Sequence, residues 1–408
     1  MRFQLVTRTG HPDFLDLPWS EPLEEWECDR LVEVARGISR HIVRFVDYDG
    51  RLYALKEIPQ RLAEREYRLL RHLEEESIPA VDVVGVVSGR GADVDAVLIT
   101  RYLDFSLPYR TLFTGRGVPD LRNRLLDALA ELLVRLHLGG FFWGDCSLSN
   151  TLFRRDAGAL AAYVVDTETS ELHPQLTDGQ REHDLIITED NIAGELYDID
   201  EEAWEASGLD PAEEAAELRA RYERLWRELT GEEVFGLDQR HRIEERLRRL
   251  NELGYDVEEV EVVGEGDELR LRLHPQVVEP GHHARRLYSL TGLDVQENQA
   301  RRLLQDIASY RAALTRLDDG RVPPESVAAY RWRTQIFDAS IAAVPAELRG
   351  KREPAEIFHE ILEHRWLMSE AAGREISTEA AVADYVANAL PLAPDERTLL
   401  DDATSGDE

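Results

Sequence analysis

Lysine is almost missing from this sequence. Of 48 cationic side chains, only Lys56 and Lys351 are not arginine, so each surviving lysine is informative. Cysteine is scarce as well: Cys28 and Cys146 are the whole complement, which excludes a disulfide framework and a four-thiolate zinc site. Positive charge is short overall. The 81 Asp+Glu outnumber the 48 Lys+Arg, a formal net charge of −33, and such a field repels phosphate backbones. No apolar run is long enough to span a bilayer; the longest, around Ala157–Val165, is interrupted by Gly158 and bounded by charge. Met1–Trp19 lacks the basic-then-apolar pattern of a signal peptide. These absences predict a soluble, cytoplasmic protein with no membrane span and no nucleic-acid partner. Any anionic ligand must be held by a local exception to the acidic field.

What is present is globular. A chain of 408 residues with 43% hydrophobic content predicts two or three domains with real cores. The first hundred residues read as strands over Leu31–Ala35, His41–Tyr48, Leu52–Ile58, Val81–Val87 and Val94–Thr100, with a helix over Gln60–Glu76 after the third. Asp49-Gly50 is a hairpin turn signal. Leu121–Leu138 is a strongly apolar helix ended by Gly139-Gly140. A loop, Phe141–Asn150, leads to short strands at Thr151–Arg154 and Ala161–Val165, and Asp210-Pro211 opens a charged helix. A third region begins near Phe235. It reads as a helix over Asp238–Leu253, a hairpin with alternating Val257, Val260, Val262 and Leu269, Leu271, Leu273, and helices near Asp294–Leu317, Pro324–Ala343, Pro354–Ala372 and Thr378–Ala389. Asp401–Glu408 reads as an acidic disordered tail.

Three signals carry chemistry, in order: Lys56 on a predicted strand, Asp145-x4-Asn150 in a helix-to-strand loop, and Asp166 leaving an apolar strand. Phosphoryl transfer from a nucleotide needs this set. A cation neutralises phosphates, a carboxylate orients or accepts the proton of the acceptor hydroxyl, and an amide with a second carboxylate holds Mg²⁺ through oxygen. Lys56, Asp145, and the pair Asn150 and Asp166 are the candidates for those roles. The helix after Lys56 supplies a test. At 100° per residue from Leu62, Leu73 falls near about 20° and Leu69 near about 340°, with Glu66 near about 40° inside the apolar stripe. A carboxylate on a buried face needs a cation, and Lys56 lies ten residues upstream.

The order Lys56, Glu66, Asp145-x4-Asn150, Asp166 resembles the protein-kinase-like fold. The phrase Leu136-His137-x2-Gly140-Phe141-x2-Gly144-Asp145-x4-Asn150, with Asp166-Thr167-Glu168, is closest in style to aminoglycoside/choline phosphotransferases and lipopolysaccharide-core kinases. The whole chain looks like an uncharacterised actinobacterial family of unknown function with a kinase-like N-terminal half. The resemblance covers roughly residues 20–230. It implies an α+β, bilobal protein-kinase-like domain (N-lobe 20–103, C-lobe 104–234), followed by a mostly helical α+β domain with one β-hairpin over 235–398 and a tail over 399–408. It also implies ATP between the lobes, the adenine near Arg101-Tyr102-Leu103, and Thr100 at the gatekeeper position.

Departures shape the expectation. No Gly-x-Gly-x-x-Gly is present; the candidate phosphate loop has Gly37, with Arg40 or His41 compensating. Trp143 stands where those families usually carry a histidine. No Ala-Pro-Glu-like segment follows Asp166, which favours a small-molecule or glycan hydroxyl over a peptide. The expected activity is therefore ATP- and Mg²⁺-dependent phosphotransfer. The alternative is a pseudokinase that binds nucleotide or a protein partner, through the C-terminal domain, and acts as a regulator. Cys146 reads as a small loop filler, and Asp184 equally as a brace for the catalytic loop or a surface acid. His359 and His364 are five residues apart, about 140° off a shared face, so they cannot ligate one zinc as an i, i+4 pair would. Residues 281–352 hold 12 Lys+Arg against 8 Asp+Glu; pairing with the acidic kinase-like part is favoured over an anion-binding face. Lys351 reads as incidental.

Overall fold

The computed structural model describes residues 3–34, 40–91, 94–107, 121–198, 210–231, 233–236, 257–263, 270–277, 281–317, 322–393 and 396. The chain divides into two units, Met1–Arg154 with Ala162–Glu223 and Arg155–Ala161 with Arg224–Thr398. The fold is α+β. The first unit is two-lobed, and helices dominate the second.

The first lobe is an antiparallel sheet in the order β1-β5-β6-β4-β3-β2. The strands are β1 (Gln4–Thr7), β2 (Leu31–Val32), β3 (Ile42–Tyr48), β4 (Arg51–Ile58), β5 (Val83–Ser88) and β6 (Ala96–Arg101). Asp49 and Gly50 both have positive φ, 56° and 78°, as a tight two-residue hairpin turn requires. Alternation along β4 sends Tyr53 and Leu55 into a core with Phe14, Trp19, Trp26, Val97 and Ile99. Ala54 and Lys56 face the other way. Helix α1 (Gln60–Glu75) follows β4 and packs against β5 and β6. Strand β1 and the core residues Phe14, Leu17 and Trp19 enlarge a lobe that was expected to begin at residue 20 with five strands.

The second lobe is built on α2 (Leu121–Leu138), whose side chains are buried almost all round. Gly140 ends it with φ +73°, and a Cβ there would lie 2.1 Å from the His173 carbonyl oxygen. The chain then forms β7 (Phe141–Phe142), paired with β10 (Glu171–Leu172), and the hairpin β8 (Thr151–Asp156) and β9 (Ala159–Val164). Helix α3 (Asp178–Tyr197) opens with a Thr177/Gln180 capping box, and α4 (Pro211–Thr230) starts at Asp210, which accepts from the Ala212 amide at 2.9 Å.

In the second unit, β11 (Glu233–Gly236), β12 (Val257–Val263) and β13 (Arg270–Val277) form a three-stranded sheet rather than an isolated hairpin. The expected helix at Asp238–Leu253, the Gly264–Asp267 turn and the acidic tail lie outside the described residues. Helix α5 (His282–Thr291), not anticipated from periodicity, precedes α6 (Glu297–Leu317). The expected Pro324–Ala343 helix is α7 (Glu325–Trp332), a π turn (Arg333–Phe337) and α8 (Asp338–Ala342); α9 (Pro354–Ala372) and α10 (Thr378–Asn388) complete the unit. Two cores hold it, one around Leu303, Trp332, Phe337 and Phe358, the other around Ile357, Ile361, Val382 and Tyr385. His359 is buried and His364 pairs with Asp384 at 2.7 Å.

The basic segment behaves differently from expectation. Arg286 pairs with Glu325, Arg333 with Asp338, and Arg352 with Glu360 and Glu396, all inside the second unit. These three cations are answered by local carboxylates. Lys351 is not incidental either: its ammonium donates to the carbonyls of Pro391, at 3.2 Å, and Ala393.

Candidate active site

Lys56 lies opposite Val43 on β3 and Leu98 on β6, in the middle of the sheet. Its ammonium is 3.1 Å from Glu66 Oε2 and 2.6 Å from Asp166 Oδ2. Glu66 is 1% exposed, on the face of α1 that the apolar periodicity marks. Burial, then the charge of Asp166, pushes its carboxyl up to about 7, against the pull of Lys56. Burial works against the charge of Lys56, but Glu66 and Asp166 outweigh it and raise its pKa. A compact ammonium suits this two-carboxylate seat better than a planar guanidinium.

Residues 143–150 are gripped by one face of α3. Asp184 is fully buried and accepts from the amides of Trp143 (2.7 Å) and Gly144 (2.8 Å), with the His137 ring at 3.1 Å. His137 in turn meets the Tyr222 hydroxyl at 2.7 Å. Asp184 is thus a brace and not a surface acid. About two and three turns on, Asn191 donates to Asp145 Oδ1 at 3.1 Å, and Glu195 accepts from the amides of Leu148 (2.6 Å) and Ser149 (3.2 Å). Trp143 is buried, and its indole N–H donates to the Asp166 carbonyl at 3.1 Å, tying the two acidic loops together. Cys146 is buried, and burial pushes its thiol well up, so it is no nucleophile.

Asp145 is half-buried. Its Oδ2 takes the Asn150 amide and the Arg40 guanidinium, each at 3.2 Å. Both oxygens of Asp166 are engaged, Oδ2 by Lys56 and Oδ1 by the Glu168 amide at 2.8 Å. His41 meets Glu168 at 2.8 Å. The Val165 amide donates to the Asn150 carbonyl at 3.1 Å, which sets the ends of the β8–β9 hairpin side by side.

These groups converge on one cavity of about 390 Å³. Arg40, Lys56, Glu66, Asp145, Asn150 and Asp166 all line it, together with Thr100. Arg101 and Leu103 do not. Arg101 is paired with Tyr53 across the sheet, on the face away from Lys56, and its guanidinium lies 3.7 Å from Asp82. The cavity also takes His41, Glu168, Asn191 and Glu195; of these, Asn191 and Glu195 had not been singled out. A signal existed: Asp184, Thr188, Asn191 and Glu195 recur at i, i+4, i+7 and i+11, a polar stripe on one helix face.

Among the described residues, no three His, Cys, Asp or Glu side chains are grouped to hold a metal ion. Mg²⁺ is ordinarily held by one or two carboxylates plus substrate phosphates and water. The pair fits that sparse set. Asn150 turns its nitrogen to Asp145, leaving the amide oxygen as the end a cation would use, and Asp166 sits across the hairpin base.

The two-lobed fold, with a buried Lys–Glu pair above and an Asp-x4-Asn loop below, is kinase-like. Residues 49–203 match the model of the lipopolysaccharide kinase (Kdo/WaaP) family, and residues 224–390 match a domain of unknown function, DUF4032. Among solved structures the chain is similar to WaaP in complex with acyl carrier protein, at 20% identity over 54% of this chain and 88% of that one, TM-score 0.36. It is also similar to an aminoglycoside-3'-phosphotransferase of type VIII, at 19% identity over 48% and 86%, TM-score 0.34. No curated protein matches it. No helix among the described residues is long and apolar enough to cross a membrane.

Proposed function

We propose that the first unit is an ATP- and Mg²⁺-dependent phosphotransferase acting on a hydroxyl of a small molecule or glycan. The observation that supports this most is the convergence of Lys56, Asp145, Asn150 and Asp166 on one cavity. In this reading Lys56, held by Glu66, binds nucleotide phosphates, with Arg40 beside it. Asn150 and Asp166 hold Mg²⁺, which would supply neutralisation of the charge that develops on the transferred phosphoryl group. Asp145, its carboxylate aimed by Asn150 and Asn191, orients the acceptor hydroxyl and takes its proton. The deciding experiment is Asp145→Asn. Product formation should fall below detection while Mg-ATP affinity stays within about twofold of wild type. Surviving turnover, or joint loss of turnover and binding, would remove Asp145 from that role.

A second reading, a nucleotide-binding regulator without turnover, has its own observation. Both oxygens of Asp166 already accept a hydrogen bond, from Lys56 and the Glu168 amide, and Asp145 is paired with Arg40, so much of the charge the site would offer a metal or substrate is answered within the protein. Mg-ATP binding without ATP consumption across a panel of hydroxyl acceptors would favour it.

A further inference from the structure

Residues 155–161, the tip of the β8–β9 hairpin, fold with the second unit although they lie inside the stretch that matches the kinase family. The tip is held by a buried polar network. Asp156 accepts from the Gln299 amide at 2.7 Å and from the Asn298 amide and side chain at 3.1 Å, at the start of α6. Glu356 accepts from the Ala157 amide and the Gln299 side chain, both at 3.0 Å, and Gln299 also donates to the Arg155 carbonyl. Arg155 and Arg352 share Glu396, at 2.5 and 2.8 Å. Asp156, Gln299, Glu356, Arg352 and Glu396 are each less than one-tenth exposed. Ala157 takes φ +50° and Gly158 φ +85° to make the turn. Buried groups this fully satisfied define one arrangement, because a half-broken network is costly.

The other end of the same hairpin is the candidate active site. Asn150 immediately precedes β8, and Asp166 lies two residues past β9. Their strands are closed by the Val165–Asn150 hydrogen bond. Phe153 of β8 also exchanges backbone hydrogen bonds with Leu107, and Val164 of β9 with Pro79 and Val81.

We propose that the second unit regulates the phosphotransfer site through this hairpin: it holds the tip, and the tip sets the spacing of Asn150 and Asp166. The role in catalysis rests on the kinase reading above; the mechanical coupling does not. Coupling of this kind is reciprocal, so nucleotide bound at the base must tighten the tip.

The test uses the full chain, as wild type, Asp156→Ala and Gln299→Ala, the last as the milder variant should Asp156→Ala fail to fold. Amide hydrogen exchange and calorimetric titration with Mg²⁺ and a non-hydrolysable ATP analogue are the readouts. The variants should speed exchange at Ala157 and Gln299. They should also speed it at Val165, by at least about fivefold, and weaken nucleotide binding by about three- to tenfold, within the usual range of coupling between sites. In wild type the nucleotide should slow exchange at Ala157. Faster exchange at the tip with Val165 and nucleotide affinity unchanged overturns the proposal. Wild type that binds no nucleotide overturns the kinase reading instead, and the Val165 measurement still decides the coupling.

Discussion

Replacing Asp184 by Asn tests whether the loop over residues 143–150 depends on α3. The carboxylate receives two short backbone hydrogen bonds, from Trp143 and Gly144, and a third contact from the His137 ring, with no exposure to water. Asn is nearly isosteric but keeps only one acceptor oxygen. Its NH₂ group would face either the Gly144 amide or, flipped, the Trp143 amide together with the imidazole, so at least one hydrogen bond is lost and one buried donor stays unsatisfied. An unsatisfied buried donor costs about 1–3 kcal/mol, and a hydrogen bond to a charged group contributes about 1.5–3 kcal/mol. Because the two describe partly the same event, their overlap gives an expected loss of about 1.5–3 kcal/mol, a large share of the ~5–15 kcal/mol that a domain holds. Asp184→Ala, which strands both amides, should lose more. Urea unfolding followed by tryptophan fluorescence reads the change directly, because Trp143 is part of the braced segment. A loss below about 1 kcal/mol for Asp184→Asn, with nucleotide binding intact, would refute the claim that this carboxylate carries the loop.

Two further outcomes follow from the ionisable groups. Lys56→Met should abolish nucleotide binding measured by calorimetry, yet lower stability by no more than about 2 kcal/mol, because Glu66 takes up a proton rather than remain an unpaired buried anion; undiminished nucleotide affinity would exclude Lys56 from phosphate binding. Glu297 accepts from the amides of His283 and Ala284 and from the His283 ring, which together outweigh burial and hold its carboxyl below the usual 4.5. Its stabilisation is therefore complete above about pH 4.5 and lost as pH falls through the lower folded value. Unfolding midpoints measured from pH 7 to pH 3 should show a steeper acid decline for wild type than for Glu297→Gln; parallel curves would remove Glu297 as the cause.

The parts of this protein that could be read in advance are those encoded within one or two turns of chain. The position of Glu66 follows from a helical repeat over twelve residues, and β4 and α2 follow from periods of two and of 3.6. What could not be read depends on partners far away in sequence. Strand β1 is only four residues, too short for a periodic signal, and it becomes a strand by pairing with β5 some eighty residues on. For the basic segment a charge count suggests pairing with the acidic kinase-like part because it ignores geometry; Arg286 and Arg333 meet local carboxylates and Lys351 a local carbonyl. The hairpin tip is the sharpest case. Its sequence, Arg155-Asp156-Ala157-Gly158, reads as an ordinary polar turn, yet Asp156 takes partners from the amides of α6, 142 and 143 residues away. The α3 stripe lies between these extremes. Asp184, Thr188, Asn191 and Glu195 have a legible period, but a polar face on a helix ordinarily means solvent. It faces inward here because residues 143–150 present a row of amides with no strand or helix to accept from them, and a buried loop must find acceptors somewhere. A buried loop whose amides lack backbone acceptors therefore predicts a polar helix face elsewhere in the chain, and that requirement, rather than any single motif, connects Asp145 to α3.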